Sequence, residues 1–167
     1  MFKKILQRLQ TSLDRVAKGA CASLVMALLA GCGTLGPIPA ANFSEPGWTI
    51  QQGQAIWRRD RDAAEIAGEI LFATNARRSV LQFTKTPFPL IIAQTTSEGW
   101  QLEAPVEDRR FSYRGTPPDR LIWFQLPRAL SGSSLSSKWI WQSHSNSWSL
   151  ENRSTGERLH GFLEPAK

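Results

Sequence analysis

In Ile66-Ala67-Gly68-Glu69-Ile70-Leu71-Phe72, Leu81-Gln82-Phe83-Thr84-Lys85-Thr86-Pro87-Phe88-Pro89-Leu90 and Trp100-Gln101-Leu102, Ile66, Gly68, Ile70 and Phe72 fall on one face, as do Leu81 and Phe83, and Trp100 and Leu102. A period of two belongs to a strand with one buried face, and the Asn75–Arg78 and Ser97-Glu98-Gly99 breaks read as hairpin turns. The pattern extends in both directions. Upstream, Trp48, Ile50, Gln52, Gln54 and Ile56 share a face of a first strand that also holds Trp57, and Arg58–Asp62 forms a solvated connection. Third and fourth strands are expected at Ser79–Lys85 and Leu90–Thr95, with Thr86-Pro87-Phe88-Pro89 interrupting them. Phe111 and Tyr113 mark a short sixth strand.

The period then changes. After Pro117-Pro118-Asp119, apolar residues of Arg120–Leu126 fall three and four apart, which predicts a short helix that Pro127 ends or kinks. Beyond a Ser/Gly loop at Ser131–Ser137, strands return at Trp139–Ser143, Ser147–Asn152 and Arg158–Leu163, with Ser145-Asn146 and Thr155-Gly156 as turns. The expected class is mainly β (α+β): an antiparallel meander of about nine strands forming an open half-barrel, with one short helix covering it.

Residues 1–31 have a different character. A basic start, an apolar run from Ala20 to Ala30 and small closing residues make an export signal, too short to span a bilayer. It ends in Leu29-Ala30-Gly31-Cys32, which matches the bacterial lipobox, so Cys32 is the expected site of lipidation and the anchor to membrane lipid. Cys21 leaves with the signal, so Cys32 has no disulfide partner. Gly33, where enterobacterial inner-membrane lipoproteins carry Asp, points to the outer membrane, with the domain facing the periplasm. Residues 33–47, with Pro37, Pro39 and Pro46, read as a flexible tether reaching roughly 50 Å at most. A single domain then occupies 48–167.

The formal charge of +6 in the 167-residue chain is largely a property of the signal. Removing residues 1–31 leaves 15 Lys/Arg against 13 Asp/Glu, a net of +2, which makes no case for nucleic acid. All seven Trp lie beyond the signal, and no stretch there is apolar enough for a membrane helix. No catalytic motif appears. His144 and His160 lack metal-ligand spacing, there is no Gly-x-Ser-x-Gly elbow, and no phosphate or dinucleotide loop occurs. Glu103, Glu107 and Asp108 sit beside Pro105 and Arg109-Arg110 as a solvated hairpin loop. The expectation is a non-enzymatic protein with no cofactor and no metal.

Gly53-Gln54-Ala55-Ile56, Ala67-Gly68-Glu69-Ile70 and Leu81 through Leu90, with Trp100 to Glu103 after a Gly turn, resemble the opening strands of the LolB family of outer-membrane lipoprotein receptors and the related carrier LolA. The resemblance covers residues 48–103. It implies a half-barrel with a helical lid, an apolar cavity for lipoprotein acyl chains, and an apolar loop tip that assists membrane insertion. Phe88, between two prolines, occupies the position of that tip, its other reading being packing beneath the loop. By alternation the groove candidates are Ile70, Phe72, Leu81, Phe83, Leu90, Ile92, Trp100 and Leu102, closed over by Leu121, Ile122 and Phe124; the alternative is that they fill a core. Trp139, Trp141 and Trp148 form a second aromatic group, either core or a surface for stacking on sugar.

Two functions follow from this reading. One is a monomeric, lipid-anchored protein of lipoprotein or lipid traffic, with acyl chains or a carrier protein as partner. The other is an envelope structural or assembly module that binds protein or glycan through a sheet edge or the Trp group.

Overall fold

The computed structural model describes residues 36–166. Nine strands make one antiparallel sheet: β1 (Thr49–Arg58), β2 (Ile66–Thr74), β3 (Arg78–Lys85), β4 (Phe88–Thr96), β5 (Gly99–Ala104), β6 (Arg109–Arg114), β7 (Trp139–His144), β8 (Ser147–Asn152) and β9 (Arg158–Pro165). A 3-10 turn, Pro105–Glu107, links β5 to β6, and one helix, α1 (Ile122–Leu130), lies between β6 and β7 in sequence. The strand order is β6-β5-β4-β3-β2-β1-β9-β8-β7. Two meanders are therefore joined where β1 pairs with β9, and β6 and β7 remain as unclosed edges of a half-barrel.

Register assigns the faces. Phe72, Leu81, Ala93, Leu102 and Phe111 lie opposite one another from strand to strand, as do Gly53, Ile70, Phe83 and Ile91, and these rows face α1. The helix answers with Ile122, Trp123, Phe124 and Leu126, all buried. Trp123 packs edge-on to Trp57 at 5.1 Å between ring centres and lies tilted against Phe83 at 5.5 Å; Phe124 meets Trp100 at 5.3 Å. Ile122 and Leu126 are fully enclosed with Ile70, Leu81, Leu150 and Leu159. The half-barrel is thus filled by its helix.

Three local expectations are corrected, and the faces of β1 are assigned: its helix-facing residues are Gly53, Ala55 and Trp57, while Ile50, Gln52, Gln54 and Ile56 share the outer face as expected. Two glycines at this seam are set by close approach: a Cβ at Gly53 would sit 2.0 Å from the Phe162 carbonyl oxygen, and one at Gly161 would sit 2.1 Å from that of Gln54. The inner row beside them is filled from Trp57, Leu159 and Leu163. In β4 the register shifts between Phe83 and Thr84: Phe83 pairs with Ile91 and Thr84 with Pro89, which passes over Leu90. This bulge puts Ile91 inside and Ile92 outside.

The helix also continues through Pro127 to Leu130. Proline removes one backbone donor from the ladder. The end is set further on, where Ser133 N–H donates to the Arg128 carbonyl (2.9 Å), Gly132 N–H donates to that of Ala129 (3.0 Å), and Gly132 takes φ +74°. That is the two-bond glycine termination of a helix, and it carries Ala129 into the core before the chain turns.

Finally, residues 36–47 are not a free tether. They form a strap against the outer face. Ser112 Oγ of β6 donates to the Gly36 carbonyl (3.3 Å), and the buried Ile38 N–H donates to Gln101 Oε1 of β5 (2.7 Å). The Arg78 guanidinium of β3 donates to both the Pro39 carbonyl and Gln94 Oε1. Phe43 then packs edge-on against Trp48 at 5.3 Å, just before β1 begins. Gln101 is fully buried because the strap covers it, and its amide satisfies the donor that the strap buries. Gln101→Ala orphans that N–H and is expected to lower stability by about 1–3 kcal/mol. Limited proteolysis would show new cleavage within 36–47, read against the thermal midpoint of the same variant.

Candidate functional site

The strongest candidate lies where the helix stops covering the sheet. α1 reaches Trp100 through Phe124, but the outermost strand, β6, extends past it. Phe111 and Tyr113 of β6 face the helix side and stay exposed, at 38% and 48%. With Trp100, Leu102, Pro118 and Leu121 they line an open groove of about 530 Å³, to which Arg114 and Arg120 contribute the cations. Tyr113 packs on Trp100 at 5.2 Å, continuing the aromatic run outward from the core. The loop that forms the far wall is held by Asp119. Its carboxylate bridges Lys138 (3.1 Å) and Arg128 (3.5 Å), and its carbonyl accepts from Trp139 Nε1 (2.9 Å).

A larger groove of about 630 Å³ crosses the outer face over β9, β1, β2 and β3, lined by Gln52, Gln54, Glu69, Gln82 and Glu164 beside Phe162. Its amides and carboxylates make it a poor container for an apolar ligand. The β6 groove has the apolar floor with few polar groups that small-ligand sites share.

The residues expected to form one groove are divided by the structure. Ile70, Phe72, Leu81 and Phe83 are buried beneath α1 and belong to the core. Leu90 packs at the margin of that core, and Ile92 faces outward under the strap. Trp100 and Leu102 do line the groove. Phe88 is 64% exposed at the β3–β4 hairpin, so it does not pack beneath its loop. Val106, on the neighbouring β5–β6 turn at the same end of the sheet, is equally exposed. Trp139 and Trp148 are buried, Trp148 stacking on the half-buried Trp141 at 6.4 Å, which leaves no open aromatic platform for a sugar. Leu29, Ala30, Gly31 and Cys32 lie outside the described residues.

Among the described residues, no three His, Cys, Asp or Glu side chains gather as a metal site, and no helix is long and apolar enough to cross a membrane. His144 is exposed on its turn; His160 is half-buried on the outer face of β9, and burial lowers its pKa. No family model and no curated protein matches the chain.

One titrating group escaped the sequence reading. Glu157, in the turn before β9, accepts from Trp57 Nε1 at 3.2 Å beside the aromatic core. Burial pushes its pKa up to about 7, only partly offset by that hydrogen bond. The native state then holds this proton more tightly than the unfolded chain, so stability falls as pH rises from about 4.5 to about 7 and is level above. Allowing for partial exposure, the penalty at pH 8 is about 2 kcal/mol. Glu157→Gln keeps an acceptor for Trp57 and cannot ionise. Its thermal midpoint should exceed wild type at pH 8, with the gap closing near pH 4.5; parallel curves would refute the assignment.

Proposed function

We propose that this protein is a lipid-anchored, non-enzymatic carrier or receptor of the LolA/LolB type, acting in lipoprotein or lipid traffic at the periplasmic face of the outer membrane. The observation that carries the reading is the β6 groove: an apolar floor open at the rim of a half-barrel, with two cations in its lining. Its volume lies within the range of small-ligand clefts, and it suits one acyl chain or a short apolar segment. The filled interior argues against a deep cavity, so the ligand is held at the rim beneath Leu121. The exposed Phe88 supports a second element, an aromatic tip that enters the bilayer during transfer. Cys32 supplies the anchor.

Native mass spectrometry of a chain lacking residues 1–32, purified without detergent, tests the groove. Co-purified or added fatty acid should bind wild type and be lost in Leu102→Glu, whose side chain points into the groove and is only half-buried. A chain that takes up no acyl ligand would favour the second reading, an assembly module docking through the open β6 or β7 edge. Phe88→Glu should leave the folding stability within about 0.5 kcal/mol of wild type, as expected for an exposed site, yet fail to complement a deletion. Full complementation would remove the tip from the mechanism.

A further inference from the structure

The strap and the edge strand together say which side of the domain meets the membrane. Resting on the anchored reading above, we infer that the β6 edge is a docking surface for anionic phosphate headgroups of the bilayer that holds Cys32. Three observations converge on it. First, the strap leaves the domain at this strand, since Ser112 of β6 binds the Gly36 carbonyl. Only four peptide steps separate Gly36 from Cys32, a reach of about 14 Å. With the strap docked, the anchor cannot stand far from β6.

Second, the edge is cationic. Arg109, Arg110, Arg114 and Arg120 are all exposed. Arg110 is paired with Glu103 at 3.2 Å and Arg109 with Glu107 at 3.4 Å, but Arg114 and Arg120 make no ion pair among the described residues. Guanidinium groups suit phosphate because their fixed donors match its oxygens, and basic residues held near an anionic leaflet gain from its surface potential. Third, the cations flank aromatics that the helix leaves bare. Phe111 and Tyr113 are exposed, and the Arg109 guanidinium lies 5.2 Å from the Phe111 ring centre. Aromatic bodies with polar tips favour the headgroup level of a membrane, between water and hydrocarbon.

Arg114 and Arg120 of this edge also line the groove, which sets the apolar floor beside the surface that meets the headgroups.

Tyr113 is the only tyrosine in the chain, which makes it a direct reporter. The processed full chain is reconstituted into vesicles of phosphatidylcholine, or of equal parts phosphatidylcholine and phosphatidylglycerol. Hydroxyl-radical labelling of Tyr113 is read by peptide mass spectrometry against Phe162, an exposed aromatic on the opposite face. The Tyr113/Phe162 ratio should fall by about fivefold in the anionic vesicles. It should recover at about 0.5 M salt, where screening is short-ranged. It should not fall in the Arg114→Glu/Arg120→Glu chain, whose fold is checked by circular dichroism. A ratio equal in both vesicles, or an equal fall in the reversed-charge chain, overturns the docking surface. Intact mass separates the premises: an unacylated Cys32 overturns the anchored reading and the docking with it, whereas an acylated chain with an unchanged ratio overturns the docking alone.

Discussion

Trp123 is the contact on which the architecture depends. An open sheet with one apolar face has to bury it, and nine strands that do not close cannot do so by themselves. The nine-residue α1 is a small cover for such a sheet, so its side chains must be large. Trp123 fills the space between Trp57 and Phe83, and Phe124 reaches Trp100 on β5, four strands from β1. Truncating a buried Trp commonly costs about 3–5 kcal/mol, a large part of a domain's net stability. The same economy creates the groove. A helix this short, wedged this deep, cannot also cover β6, and the aromatics of the last strand stay in water.

The strap solves a matching problem on the other face. Cross-strand neighbours Gln94 and Gln101 are buried there, and buried amides must be satisfied. The strap supplies the Ile38 N–H for Gln101, and Arg78 supplies a donor for Gln94 while also holding Pro39. Polar pairing rather than apolar packing therefore fixes the path of residues 36–47. It also converts a stretch with the composition of a linker into part of the domain.

Much of this was legible in the sequence, and the failures have physical causes. Alternation located the nine strands and the helix because each sheet face has one environment, and the open half-barrel with a single cover followed from their order. Period two grouped Ile50, Gln52, Gln54 and Ile56 on one face of β1 but did not say which face is inside, because the inner row sets Gly53 and Ala55 beside Trp57. Ile92 was misplaced by the bulge that skips Leu90, a one-residue event that period-two counting cannot see. Pro127 does not end the helix; the glycine two positions past the last helical residue does. Of the groove candidates, Trp100 and Leu102 line the groove; the deeper ones were consumed by the helix, whose depth of insertion no periodicity reports. Glu157 and the strap depend on contacts across about a hundred and about sixty positions of chain, beyond any local pattern.

The seam between β1 and β9 has a kinetic consequence. Gly53 lies opposite Leu163, at nearly the full length of the domain, so this pairing is among the last that a chain made or threaded N-terminus first can complete. Until β9 emerges, the β1–β6 meander ends in an unpaired β1, and the helix has only part of its bed. Such an edge invites pairing with another chain. The middle of β1 answers with Gln51, Gln52, Gly53 and Gln54, which give a waiting strand little apolar surface there to offer a stranger. The close approach that demands glycine in the finished sheet thus also keeps the half-made one quiet.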